Sequence, residues 1–365
     1  MKRHLLLLFM ACWLIPATWA VETEDHFTIS NVTVVPGGSY AYFDVSLVGS
    51  RQYTAYNLDI HFPVGLSVYY NGGKPAVSML KNSGMYPSSE DIVTGDVNYS
   101  HNFTCTYGEA GERMLRIACV STSSESFNYN SGTLFRVLIV ASPFLKPGTA
   151  SLTFDGQNLT TADETKYVPA DQVLTVNVST SSTVPVSISA TNQYGTCVLP
   201  FDATLPEGLL AYSCDSEQDG DLVLSPVESM SAYTPYILYA ENGYTGNLTG
   251  TVTAANYVAV ATAGYLNGAV EPQQVSEGYV LQNQGSGAMF YKINGKTFAI
   301  PEGHCWITIP SSARMTLNLI QEPTAIKAVQ KGKTEGSDFY SLDGKRISNP
   351  KSGTIYISDG KKVLK

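Results

Sequence analysis

Histidine, basic side chains and long apolar runs are all scarce in this sequence, and each scarcity removes a class of function. Of five histidines, only His26, His61, His101 and His304 lie beyond the N-terminal leader. They are widely spaced, and none falls in an HExxH or CxxC-linked pattern, so the residue order encodes no zinc site and no cofactor is expected. No GxSxG elbow occurs, and Gly285-Ser286-Gly287 reads as a turn. Glycosidase carboxylate pairs come from distant loops and leave no local signature. Lys and Arg number 22 against 31 Asp and Glu, a net charge of −9. That balance opposes a nucleic-acid partner, which wants a basic face. Beyond residue 20, no stretch approaches the roughly 20 apolar residues that a membrane-spanning helix needs, and sustained helical periodicity is missing as well.

What is present begins with a leader. Lys2 and Arg3 precede an apolar stretch at 5–15, and Thr18-Trp19-Ala20 supplies small residues at the positions a signal peptidase reads. This predicts cleavage after Ala20 and an exported chain, extracellular or at the cell surface. Lipidation at Cys12 is the competing reading, but Phe9-Met10-Ala11 makes a poor lipobox.

The rest is short alternating runs broken by Gly, Pro, Asn and Ser about every ten residues, the pattern of an all-β sandwich or barrel. Tyr56, Leu58, Ile60 and Phe62 alternate with Asn57, Asp59 and His61, giving one apolar and one wet face. Residues 134–140 are apolar except for Arg136, which predicts a strand buried on both sides. Leu174, Val176 and Val178 alternate again and close the first unit. The Ser/Thr run at 179–183 reads as a polar linker. Residues 215–221 place Asp215, Glu217, Asp219 and Gly220 as a calcium loop would, but Pro226 stands where a bidentate Glu belongs, so a hairpin turn is expected. The organisation is then a signal peptide at 1–20, one domain at 21–179, a second at 180–320 and a C-terminal segment at 321–365. Within that segment, Asp343-Gly344 and Asp359-Gly360 suit tight hairpins, which predicts a small β-unit.

Three resemblances are carried by particular residues. Residues 34–39 (VVPGGS), 55–66 (AYNLDIHFPVGL), 132–140 (GTLFRVLIV) and 146–150 (KPGTA) resemble the cohesin-like jelly roll. That family implies a non-catalytic recognition domain, since cohesins bind dockerins through a sheet face and related jelly rolls bind glycans. Residues 195–201, 205–212, 232–238, 278–281, 288–292 and 300–307 resemble a β-rich module of secreted surface proteins of Gram-negative anaerobes, which implies a scaffold. Residues 338–347, 353–357 and 360–365 resemble the sorting segment of type IX secretion cargo, from which the chain departs at Thr354.

Candidate binding residues are aromatic. Tyr69 and Tyr70, beside the Asn71-Gly72-Gly73 turn, form a loop-rim pair able to stack on a sugar. Trp306 alternates with His304 and Thr308 against Cys305, Ile307 and Ile309, so it is a second stacking candidate, with core packing as the rival. His61 shares the wet face with Asp59 and reads as solvated. Five cysteines follow the leader, an odd number that leaves at least one thiol unpaired within the chain. Cys105 and Cys119 flank residues 108–111, equally distant from Glu112, and form a candidate disulfide. Cys305 suits a core.

The sequence therefore points to an exported, non-catalytic binding protein for a polysaccharide or a surface protein, in adhesion or polysaccharide capture. A structural subunit of a surface assembly is the alternative, and a glycoside-active enzyme comes a distant third.

Overall fold

The computed structural model describes residues 20–90, 96–108, 112–218, 221–252, 258–283, 288–293 and 295–309, with four short strands between 339 and 364. The leader at 1–19, the stretch 310–338 and the tail turns at Asp343-Gly344 and Asp359-Gly360 lie outside the described residues. Residues up to 315 form one compact unit and the remainder a second.

The period-two pattern at 55–62 becomes a strand, Ala55–His61, with Tyr56, Leu58 and Ile60 buried and Asn57 exposed. It lies inside an eight-stranded sheet. Along the main path the order is Val21–Thr23, Lys166–Pro169, Gly148–Thr160, Ala55–His61, Met114–Ser121 and His101–Tyr107. Gln172–Val178 also pairs with Gly148–Thr160, and Thr33–Val34 pairs with Gln172–Val178. A five-stranded sheet runs His26–Ile29, Ala41–Val48, Gly132–Ala141, Leu66–Val68, with Val77–Met79 also on Gly132–Ala141. All pairings are antiparallel except two, Val21–Thr23 with Lys166–Pro169 and Gln172–Val178 with Thr33–Val34. The inner faces enclose one core, with Phe27, Phe43, Tyr56, Leu58, Phe135 and Phe154 among its members. Each such large side chain contributes about 1.5–3 kcal/mol by leaving water. The all-β sandwich expected from the sequence is what the chain forms.

One strand departs from expectation. Gly132–Ala141 is not buried on both faces: Phe135, Val137 and Ile139 point inward, whereas Arg136, Leu138 and Val140 are only half-buried on the outside. The apolar character of Leu138 is matched by tyrosines on the neighbouring strands, described below.

The 179–183 run is not a free tether. A strand starts at Ser181 and pairs along its length with Tyr244–Thr251. Ser182 is fully buried and its hydroxyl donates to the Pro143 carbonyl at 2.9 Å. Thr183 N donates to Pro36 O at 2.9 Å. Gly37 has φ +67°, and a Cβ there would lie 1.8 Å from the Thr183 carbonyl oxygen, so only glycine permits this approach.

After this strand come a four-stranded sheet (Tyr194–Cys197, Tyr236–Tyr239, Leu210–Gln218, Asp221–Val227) and a five-stranded one (Val260–Ala263, Leu266–Ala269, Cys305–Ile307, Tyr279–Asn283, Ala288–Lys292). Leu210–Gln218 and Asp221–Val227 pair up to Gln218 opposite Asp221, so the acidic segment is the expected hairpin. Cys305–Ile307 is a central strand with both faces covered. Cys305 joins Phe144, Val198, Ala261 and Val270, while Trp306 joins Ala269, Val280, Ile293 and Ile300. Trp306 is 8% exposed, which removes it from the ligand candidates: a central strand between two cores has no wet face.

The Cys105–Cys119 bridge is also corrected. In the hairpin of His101–Tyr107 and Met114–Ser121, Cys105 faces Ile117 and Cys119 faces Phe103. All five thiols are free. A diagonal offset of two residues leaves Cβ atoms several ångströms beyond the spacing a disulfide requires. Burial pushes the Cys119, Cys197 and Cys214 thiols up to about 12 and Cys305 well above its usual value, so these are protonated and poorly nucleophilic. Iodoacetamide is expected to label half-buried Cys105 slowly in the folded protein, and Cys119, Cys197, Cys214 and Cys305 only after unfolding. Peptide mass spectrometry checks this, and a 105–119 cross-linked peptide would contradict the register.

In the second unit, Arg346–Ile347, Phe339–Tyr340, Ile355–Ser358 and Lys361–Leu364 make a four-stranded sheet, the small β-unit expected. Among the described residues no helix is long and apolar enough to cross a membrane.

Candidate functional site

Three surface features of the sandwich carry ordered polar or aromatic groups. The first is the outer face of the eight-stranded sheet. Register sets Arg116 opposite Asp59, and the guanidinium donates twice to that carboxylate, Nε to Oδ1 at 2.9 Å and Nη2 to Oδ2 at 2.8 Å. On the other side of the Ala55–His61 strand, a bulge between Asp155 and Asn158 breaks the register of Gly148–Thr160. Gly156, at φ +57° beside Asp59, makes the bend. Gln157 turns inward and is 1% exposed. Its amide donates to the carbonyls of Phe154 at 3.2 Å and Ala170 at 3.0 Å. Bulges commonly re-aim side chains in this way. The bulge leaves Asp155 beside His61, with Nε2 to Oδ1 at 3.1 Å. His61 is thus paired with Asp155, while its strand neighbour Asp59 is held by Arg116. Thr104, Thr106 and Val120 extend the exposed face.

The second feature is the outer face of the five-stranded sheet. Tyr40 and Tyr42 are 52% and 48% exposed. Tyr40 meets Tyr69 with ring centroids 5.0 Å apart and planes tilted by 31°. Arg136 lies over the Tyr42 ring with Cζ 3.8 Å from its centroid. Arg136 also donates to Asp44, Nε to Oδ1 at 2.7 Å and Nη2 to Oδ2 at 3.0 Å. The next pair along these strands is Ser46, whose hydroxyl donates to Thr133 Oγ1 at 3.1 Å.

Tyr69 and Tyr70 do not form the expected joint pair. Successive strand residues point to opposite sides. Tyr69 turns to this face, whereas Tyr70 donates to the Tyr107 carbonyl at 3.1 Å at the edge of the other sheet. The Gly72-Gly73 turn beside them is as expected, both residues having positive φ in a two-residue hairpin. The sequence reading missed Tyr40 and Tyr42; the signal was the alternation Tyr40, Tyr42, Asp44, Ser46 against buried Phe43, Val45 and Leu47.

The third is a cleft of about 700 Å³ whose lining includes Ser67, Arg113, Val140, Leu145, Pro272 and Glu302. The Ser142 hydroxyl donates to Glu302 at 2.8 Å. Burial raises the Glu302 carboxyl above its usual range, opposed by that hydrogen bond and by Arg113.

The nearest approach to a nucleophile and base is Ser100 Oγ, 2.9 Å from His101 Nδ1. His101 is 4% exposed, stacked on Phe127 at 4.5 Å and edge-on to Tyr86, and its Nε2 has no partner. Burial lowers its pKa, opposed by the Thr54 backbone and the charge of Glu125. A base needs an open path to its proton and a third group to orient it, and this ring has neither. Because the folded state holds His101 neutral, the unfolded chain takes up the proton first as pH falls below about 6.5. Stability is therefore present above that value and lost between it and the lower folded-state pKa, by up to about 1.4 kcal/mol per pH unit. Replacing His101 with Phe is expected to flatten this part of the pH profile of urea midpoints; identical slopes for variant and wild type would contradict it.

No family model and no curated protein matches this chain. Solved structures similar to it include cohesin modules. A non-cellulosomal cohesin from Archaeoglobus fulgidus is 16% identical at a TM-score of 0.29, over 42% of this chain and 91% of the other. A type I cohesin from Clostridium thermocellum, solved as a cohesin–dockerin complex, is 12% identical at 0.32, over 44% and 97%. A cohesin module from a Clostridium perfringens family 33 glycoside hydrolase is 12% identical at 0.29, over 42% and 98%.

Proposed function

We propose that this chain is a non-catalytic recognition module whose sandwich captures a protein partner on the outer face of the eight-stranded sheet. The observation that carries the reading is the row of fixed polar pairs on adjacent strands, the Arg116–Asp59 ion pair beside the His61–Asp155 contact. Each head group is held by its partner and by backbone that cannot flex independently, so little ordering is needed on binding. Mixed charge on a flat, rigid surface suits a protein with the complementary pattern, where such groups set register and select against wrong partners.

Export belongs to the same proposal. It rests on the leader before Ala20 and on the hairpin tail at 338–365, and it puts the binding face outside the cell.

The test is a photoreactive phenylalanine analogue placed at Thr104, in the middle of the face, and separately at Tyr129, which is exposed elsewhere. In extracts of the cells that make the protein, the Thr104 probe is expected to trap one discrete protein and the Tyr129 probe none. Equal trapping from both positions, or none from Thr104, would remove the reading.

A further inference from the structure

The opposite face of the sandwich has a different chemistry. Tyr40 and Tyr42 stand two residues apart on one side of the chain, about 7 Å along the sheet. Leu138 pairs with Tyr42 on one flank, and on the other its carbonyl accepts from Tyr69 N at 2.8 Å. Tyr40 and Tyr69 pack ring against ring at a shallow tilt, and Tyr40 and Tyr42 remain about half-exposed, so the group presents an apolar patch on this face. Arg136, clamped between the Tyr42 ring and the Asp44 carboxylate, sets fixed donors and acceptors directly beside that patch, and Ser46 with Thr133 continues the polar row. At its other end the face runs into the cleft, because Ser67 and Val140 line it, and Ser67 lies on the same side of its strand as Tyr69.

We propose that this face is a platform for an extended, uncharged polysaccharide chain. A sugar ring has an apolar face of C–H groups that lies flat on an aromatic ring and a rim of hydroxyls that needs donors and acceptors at the ring's edge. The exposed parts of Tyr40, backed by Tyr69, and of Tyr42, on the side Arg136 leaves open, supply the first, and Asp44, Arg136, Ser46 and Thr133 the second. Charge selects the neutral class. The Arg136–Asp44 pair cancels itself, and the whole chain is at −9, which disfavours a polyanion. The open, linear form of the face, leading into a cleft, suits several consecutive sugar units. This site is separate from the charged face of the eight-stranded sheet, and together the two would let one sandwich bridge a protein and a glycan.

Affinity electrophoresis of the full chain tests it, with soluble β-glucan, α-glucan, mannan and xylan as neutral probes and polygalacturonate as the charged one. At least one neutral probe is expected to retard the wild type. Tyr40→Ala with Tyr69→Ala is expected to weaken that retardation at least tenfold, and Tyr40→Leu with Tyr42→Leu serves as a second variant should the first lose its fold by circular dichroism. Tyr70→Ala and Asp59→Lys are expected to bind as the wild type does, which separates this site from the protein-binding face. No retardation by any neutral probe, retardation by polygalacturonate alone, or retardation that survives both double substitutions overturns the proposal. A protein seated on these tyrosines in place of a sugar would show itself as the first of those outcomes.

Discussion

Asp25→Ala is expected to cost about 2–4 kcal/mol of stability, because it takes the acceptor from a buried hydroxyl and a backbone N–H. Asp25 is 5% exposed. Its carboxylate accepts from Ser50 N at 2.9 Å, from the Ser50 hydroxyl at 3.2 Å and from the hydroxyl of Tyr53, which is fully buried. Arg51 stands 3.6 Å away and is itself stacked over Tyr167 at 4.3 Å. The cluster ties the first strands of the sandwich to the 50–53 segment and to the Lys166–Pro169 strand. Without the carboxylate, a buried hydroxyl and a backbone N–H lose their acceptor, and each orphaned group costs about 1–3 kcal/mol. Asp25→Asn keeps an acceptor oxygen and should cost clearly less. Urea unfolding at pH 7 measures both; a loss below about 1 kcal/mol for the alanine variant would mean that water replaces the carboxylate and that the cluster holds nothing together.

Phe144→Ala is expected to cost a comparable 3–5 kcal/mol. This side chain leaves the sandwich and enters the core formed by Val198, Ala261, Val270 and Cys305. With Ser142–Glu302, Ser182–Pro143 and Thr183–Pro36, it joins the two parts of the 1–315 unit. A second consequence follows for cooperativity. Trp306 reports on the later part, since the other two tryptophans, Trp13 and Trp19, lie within residues 1–20, whereas far-ultraviolet dichroism reports on the whole. In a chain that starts at Val21 the two signals are expected to share one transition. In Phe144→Ala they should move to lower urea together or separate. An unshifted Trp306 transition would contradict the joint.

Features that depend on period and on local turn chemistry were legible in the sequence. Tyr56, Leu58 and Ile60 announced their strand, and the short apolar runs of the tail announced its small β-unit. Features that depend on register were not. The Cys105–Cys119 expectation centred the hairpin on residue 112, whereas Cys105 opposite Ile117 centres it on 111. One residue of turn moves every cross-strand partner by two, and the loop that decides this carries no strong type signal. Asp59 finds Arg116, and Tyr40 finds Tyr69, across separations fixed only by the order of strands in each sheet. The same limit explains Trp306: alternation says that its strand has two sides, but only the packing of a second core says that both are dry. Likewise the run at 179–183 has linker composition yet enters a paired strand at Ser181, with buried Ser182 donating to Pro143 and the Thr183 N–H to Pro36.

The claim that the eight-stranded sheet presents a protein-binding face rests on charges whose pairing can be inverted without being broken. Asp59→Arg combined with Arg116→Glu keeps an ion pair at the same place in the sheet, so folding stability should stay within about 0.5 kcal/mol of the wild type, while the pattern offered to a partner is reversed. The decisive measurement is the affinity, by titration calorimetry, of the protein trapped through Thr104 for the wild type and for this swapped variant. A loss of about a hundredfold, or about 2.8 kcal/mol, is the predicted result. Equal affinity for the two proteins would contradict it and place the partner elsewhere on the chain.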